Sequence, residues 1–165
     1  MRLLEGTVTI ADLDAFIETL GEVADETETT IQAFDARFVV SRAHLERAVE
    51  LADRAISRGN EIARDRAVEI LLYASGRRQI NRAFEMGVGE GERSVVILID
   101  GDHEDEAEER LLERLDIEAG PTLGERMDEP LVRDFFDIGE EELAVVDGDL
   151  EALVVERVAL LTVER

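Results

Sequence analysis

Cysteine is absent, so the chain can form neither a disulfide framework nor a thiolate zinc site. Proline occurs only twice and aromatic residues make up 4% of the sequence, which leaves Leu, Val, Ile and Ala to build a core. No apolar run approaches the roughly 20 residues that a membrane span needs. No apolar stretch opens the chain either, which argues against secretion and for a cytoplasmic protein without a membrane partner. Lysine is also missing: all 18 basic side chains are arginine, set against 41 acids, for a net charge of -23. What is present suffices for folding, because a 45% hydrophobic content excludes intrinsic disorder in spite of the charge. A length of 165 residues points to a single compact domain spanning 1–165, burying roughly two-thirds of its unfolded surface.

A dense carboxylate shell with arginine as its only cation is the composition of a protein working in molar salt, where the Debye length contracts to about 3 Å and self-repulsion is screened. A halophilic, archaeal host is therefore expected. The charge is unevenly placed. Between Arg37 and Arg93 eleven arginines face nine acids, whereas the rest of the chain sets seven arginines against 32 acids. Helix pairs such as Glu50 and Arg54 at i,i+4 explain part of this pattern, at about 0.3–0.5 kcal/mol each. They do not explain why acids thin out in this segment alone. A patch spared from acidification suits an anionic partner, and nucleic acid is the leading candidate.

Periodicity organises the chain. Leu4 to Ile10 alternates as a strand, and Asp12 caps a helix with Leu13, Phe16, Ile17 and Leu20 on one face. Asp25 to Thr29 reads as a turn, and Thr30 to Val40, rich in β-branched and aromatic residues, as a second strand. Ser41 caps a helix running to Gly59, with Leu45, Ala48, Val49, Ala52 and Ile56 on its inner face and Arg47, Arg54 and Arg58 opposite. Asp65 to Ser75 is apolar almost all round and should be a buried helix, ended by a left-handed Gly76. A short helix follows from Arg78 to Met86, stopped by Gly87. Ser94 to Asp100 is a Val/Ile run fit for the middle of a sheet. Asp102 to Leu115 is a charged helix with Ala107, Leu111, Leu112 and Leu115 inward. Residues 117–147 read as a loop with one or two short helices, broken by Pro121 and Pro130. Leu150, Leu153, Val154, Val158 and Leu161 make a final helical stripe. The fold class is α/β of the α+β kind: a small, largely antiparallel sheet covered by several helices.

Catalytic constellations are missing. With His44 and His103 and no Cys, a nucleophile and base would have to use Ser41, Ser57, Ser75 or Ser94, and none of these sits in a Gly-x-Ser-x-Gly elbow. Asp100, Asp102, Glu104 and Asp105 begin like a calcium loop, but its sixth position is Asp105 rather than Gly and its twelfth is Leu111 rather than Glu. Acids at a helix N-terminus explain them better. Gly89 and Gly91 precede a strand and have no lysine with which to form a P-loop. No catalytic residue, metal or cofactor is expected.

The informative stretch is ILLYASGRRQINRAFEMG at 70–87. It joins a buried helix to a glycine break and then to Arg77, Arg78, Gln79 and Ile80, with Arg82 one turn beyond Arg78. Two guanidinia and an amide at a helix start suit a phosphate or a carbonyl-rich ligand. The same arginines could instead satisfy carbonyls of the preceding helix.

At this stretch the sequence resembles the kinase-binding subunit of the KEOPS complex, the family of human TPRKB. The resemblance runs from Phe34 to Asp100, including EILLYASGRRQI at 69–80 and the glycine at 87, and returns in VVERVALLTVE at 154–164; residues 101–148 fall outside it. It implies a compact α/β protein without catalytic activity. In KEOPS, which makes threonylcarbamoyladenosine at position 37 of tRNA, this subunit docks on the atypical kinase subunit, associates only indirectly with the catalytic subunit, and binds the single-stranded CCA 3′ end of tRNA. By this resemblance Arg78, Gln79 and Ile80 are the expected RNA contacts, supported by Arg77 and Arg82. The apolar C-terminal helix, through Val154, Arg157, Val158 and Leu161, is the expected partner surface or packs beside the RNA site. A kinase adaptor that never touches RNA, and a small-molecule-binding domain with a closed pocket near Gly87 to Gly91, are the competing readings.

Overall fold

The structure is a computed structural model that describes residues 1–163; Glu164, the last residue of the resembling C-terminal segment, lies outside the described residues. Strand β1 (Arg2–Ile10) leads into helix α1 (Leu13–Thr27) and strand β2 (Thr29–Asp35). After a 3-10 turn at Ala36–Phe38 come α2 (Arg42–Ser57), α3 (Arg66–Ser75) and α4 (Ile80–Ala83), the last continuing as a 3-10 turn at Phe84–Met86. Strand β3 (Gly91–Gly101), α5 (Glu104–Arg114) and β4 (Ile117–Ala119) follow, then α6 (Glu129–Phe135), α7 (Glu140–Val145) and α8 (Leu150–Val163). The sheet order is β2-β3-β1-β4 with every neighbouring pair antiparallel, the α+β class expected from the sequence. Among the described residues no helix is long and apolar enough to cross a membrane.

Strand β3 explains its own composition. Val95, Ile97 and Ile99 point into a core shared with α1 and α5, while Val96 and Leu98 point into a second core under α2, α3, α6 and α8. Successive side chains of a central strand face opposite layers, so a strand covered on both faces must be apolar throughout. Register follows: Leu4 lies opposite Ile97, and Ile31 opposite Ile99.

Helix α3 is the spine of the larger core, buried from Glu69 to Ser75. The one charge in that run is satisfied locally, because the Glu69 carboxylate accepts the N–H groups of Ile62 at 3.0 Å and Ala63 at 2.8 Å. Caps appear where the sequence placed them: Asp12 accepts from Ala15 N–H and Ser41 from His44 N–H, both at 3.2 Å. Gly76 ends α3 at φ 63°.

Several expectations are corrected. The acidic run at 25–29 is not a turn, since α1 continues to Thr27 and closes on a left-handed Glu28. Glu26, which opposes the helix dipole there, is held by Arg110 and Arg114 from α5. The strand expected over Thr30 to Val40 stops at Asp35, whose carboxylate turns back to accept the Arg37 N–H and to pair with its guanidinium. The helix expected from Arg78 starts two residues later and tightens to 3-10 geometry after one turn. Leu112 and Ile17, expected inward, are exposed, and the stretch after 117 contributes an edge strand as well as α6 and α7. Asp100 and Glu104 of the acidic loop hold the Met1 ammonium at 3.2 and 3.3 Å.

Candidate functional site

The site is built on the end of α3. The Gly76 N–H donates to the Tyr73 carbonyl at 3.0 Å and the Arg77 N–H to the Leu72 carbonyl at 3.1 Å, the paired bonds of a Schellman motif. A side chain at Gly76 would be strained at positive φ, and its Cβ would stand 3.2 Å from the Arg157 carbonyl oxygen. The chain therefore turns sharply while pressed against α8, which fixes the direction in which Arg77 and its successors leave the core.

The Arg77 side chain turns toward α6. Its guanidinium donates to the Phe135 carbonyl at the end of α6, lies 5.2 Å from the Phe135 ring centroid and approaches Asp137 at 4.0 Å. It does satisfy a carbonyl, but one on α6 rather than on the preceding helix. On this geometry Arg77 is a strut tying the corner to α6.

Arg78, Gln79, Ile80 and Arg82 are brought together on the exposed start of α4. Gln79 is the N-cap residue but makes no side-chain cap bond, and a helix of four residues carries too small a dipole to hold an anion by its end. Recognition at this corner must come from side chains. Ile80 is 43% exposed, and one turn on, Phe84 is 55% exposed on the same side, so two large apolar groups face solvent together. Arg82 pairs with Glu85 at 2.9 Å and stands 6.0 Å from the Phe135 centroid, on the ring that also carries Arg77.

Phe135 is thus a platform beneath two arginines, itself steadied edge-to-face by Phe38 at 5.2 Å and Phe136 at 5.0 Å. Phe84 and Phe135 are the residues that sequence reasoning missed. The i,i+4 spacing of Ile80 and Phe84 was visible, but the same spacing marks a buried stripe. Phe135 is separated from Arg77 by 58 positions, with no local signal connecting them.

The apolar stripe of the C-terminal helix is turned inward. Val154, Val158 and Leu161 are fully buried in this chain's own core, so those side chains present no surface to a partner. Arg157 is half-buried and donates to the Phe136 carbonyl at 3.0 Å, the Asp137 carbonyl at 3.1 Å and the Glu142 carboxylate at 2.6 Å. The Glu142 hydrogen bond raises the Arg157 pKa against the opposing effect of burial. Arg77 and Arg157 together close the end of α6, so this helix is packing beside the corner.

Two clefts adjoin these elements, both open to solvent. One, of about 590 Å³, is lined by Glu129, Arg133, Asp134 and Asp137, a set that repels anions. The other, of about 550 Å³, lies between Arg37, Arg93, Arg126 and the acids Asp35, Glu92, Glu125 and Asp128. Neither is the closed pocket at Gly87 to Gly91 that a small-molecule domain would need.

Comparison with known proteins gives one family. The model described as Kinase binding protein CGI-121 matches residues 10–162. No curated protein matches the chain.

Proposed function

The chain belongs to the Kinase binding protein CGI-121 family, and on that premise we propose that it is a non-catalytic KEOPS subunit that docks on the atypical kinase subunit and recruits tRNA by its 3′ CCA end. A kinase partner follows from the family itself. The catalytic subunit is reached only through that kinase, and the setting is the salt-rich cytoplasm of an archaeon.

The observation that carries the RNA reading is the exposed Ile80–Phe84 pair beside Arg78 and Arg82, in the one segment of an acidic chain where arginines outnumber acids. Single-stranded RNA is held in this manner, by bases stacked on apolar or aromatic side chains and by guanidinia at phosphates and base edges. In molar salt the stacking contribution matters most, since counterion release contributes little there. Ile80 and Phe84 leave about half of their apolar surface to solvent, which is available to a stacked base.

Engagement of Arg77 with Phe135, and of Arg82 with Glu85, favours the second reading, a kinase adaptor that makes no RNA contact. Titration in molar KCl with intact tRNA, CCA-trimmed tRNA and an acceptor minihelix separates the two. The RNA reading expects trimming to cost more affinity than loss of the anticodon arm, and Arg78→Glu or Ile80→Glu to abolish binding while the fold and kinase docking persist. Equal binding of all three RNAs, or wild-type binding by both variants, replaces it with the adaptor reading.

A further inference from the structure

Most arginines in the described residues are neutralised by a nearby acid or spent on a carbonyl. Arg58 and Arg64 differ. Both are exposed and neither makes an ion pair, and they lie within the same loop, between α2 and α3. Arg126 and Arg133 also make no ion pair, but they line the clefts among Glu125 and Asp128 and among Glu129, Asp134 and Asp137. What sets Arg58 and Arg64 apart is that both lie in one loop and outside those acid-lined clefts.

That loop is held rigid. The Arg58 N–H donates to the Arg54 carbonyl at 3.1 Å, Gly59 turns at φ 70°, and the Asn60 N–H donates back to Ala55 at 2.8 Å. Its middle is pinned by Glu69, a fully buried carboxylate accepting from Ile62 and Ala63. Burying a carboxylate is costly unless it is well hydrogen-bonded, and here the bonds go to the loop backbone. Asp65, itself exposed, caps α3 by accepting the Ala67 N–H at 2.8 Å, and Glu61 is the loop's one acid without a hydrogen bond. A fixed backbone lowers the ordering cost of bringing Arg58 and Arg64 to a ligand.

Position completes the argument. The loop enters α3 and the Gly76 corner leaves it, so the ten residues of α3 set the two apart by about 15 Å. Resting on the RNA reading above, we propose that the α2–α3 loop is a second RNA contact, in which Arg58 and Arg64 meet phosphates of the acceptor duplex while the Ile80–Phe84 corner holds the unpaired 3′ end. The loop would add affinity for a duplex carrying the end without reading its sequence, because phosphate contacts position rather than specify.

The test is the double variant Arg58→Glu/Arg64→Glu, titrated with intact tRNA and with a short single-stranded oligonucleotide ending in CCA. KCl is varied within the range where circular dichroism shows the variant and the wild type both folded. At the lowest KCl concentration in that range affinity for tRNA should fall at least about fivefold, and the salt dependence should flatten by about 0.7–0.9 log units per log unit of salt for each phosphate that an arginine no longer meets. Affinity for the oligonucleotide should stay unchanged, and Arg58→Lys/Arg64→Lys should restore most of the tRNA binding. Unchanged tRNA affinity in the Glu variant overturns the loop contact, and so does an equal loss for both RNAs. A wild type that binds oligonucleotide and tRNA equally well also overturns it while leaving the corner intact. A wild type that binds neither removes the RNA reading together with this inference.

Discussion

The imidazole Nε2 of His44 lies 2.8 Å from the carbonyl oxygen of Ala74, joining α2 to α3 inside the core. The Val40 N–H donates to Nδ1 at 3.4 Å, so that nitrogen is an acceptor and the proton must sit on Nε2, facing Ala74. Both ring nitrogens are therefore used in the neutral form. Phe136 covers the ring edge-to-face at 5.9 Å, and this one side chain connects the loop before α2, the end of α3 and the end of α6.

Burial holds the His44 pKa down to about 4, against the smaller raising effects of Ala74 and Glu151. The unfolded chain takes up its proton near 6.5, so between those values it binds more protons than the folded one, and stability falls as pH falls. The full difference corresponds to about 3 kcal/mol. Melting temperatures in molar KCl should decline from pH 6.5 to pH 4 more steeply in wild type than in His44→Gln. Parallel curves for the two proteins would mean that the imidazole is not buried in its neutral form.

Gly76 is predicted to be irreplaceable for stability. Alanine there must adopt φ 63° and bring its Cβ to 3.2 Å from the Arg157 carbonyl, so the αL penalty and the contact with α8 add. Gly76→Ala should cost more than about 1 kcal/mol, whereas Gly59→Ala, also at positive φ but with open space around it, should show the backbone penalty alone. Denaturant titration of the two variants at one salt concentration compares them directly. Equal losses would mean that α8 does not press on the corner.

Much of this frame was legible because its signals are local. Alternation in β1, the unbroken apolar run of β3, the stripe of α2, and the caps at Asp12, Ser41 and Gly76 each announce themselves within a few residues. What escaped depends on distant partners. Strand β4 has three residues and exists only by pairing with Gly6, Thr7 and Val8. The segment after Asp35 has strand composition, yet Ala36 and Phe38 are drawn into a turn by the Asp35–Arg37 pair. The apolar surface of α8 looked like an interface because periodicity does not distinguish a core within one chain from a core between two. Arg77 looked available for the same reason, since Phe135 is brought to it only by the tertiary fold.

Phe84 should matter for RNA and not for folding. Its side chain is 55% exposed, so Phe84→Ser should leave the melting temperature within a degree or two, as surface substitutions usually do. A base stacked on an aromatic ring contributes about 1–3 kcal/mol, so affinity for an oligonucleotide ending in CCA should drop between about fivefold and 150-fold. Phe84→Tyr, which keeps the ring, should bind close to wild type. If Phe84→Ser binds as wild type does, the platform is Ile80 alone.

Folding itself should require salt. Ion pairs such as Arg114–Glu26 at 2.6 Å and Arg66–Asp100 at 2.7 Å weaken as salt is added, which taken alone would make the protein less stable in brine. Surface pairs contribute only about 0–1 kcal/mol each, however, and 18 arginines cannot neutralise 41 acids. The surplus of -23 repels itself over the whole surface once the screening length grows from about 3 Å in molar salt to about 10 Å at a tenth of that. Repulsion among the unpaired acids should therefore outweigh the gain in the pairs. Circular dichroism melts across a KCl dilution series should show the midpoint falling steadily from molar to tens of millimolar. A midpoint that stays level or rises on dilution would show that the paired arginines dominate, and the halophilic origin inferred from composition would be wrong.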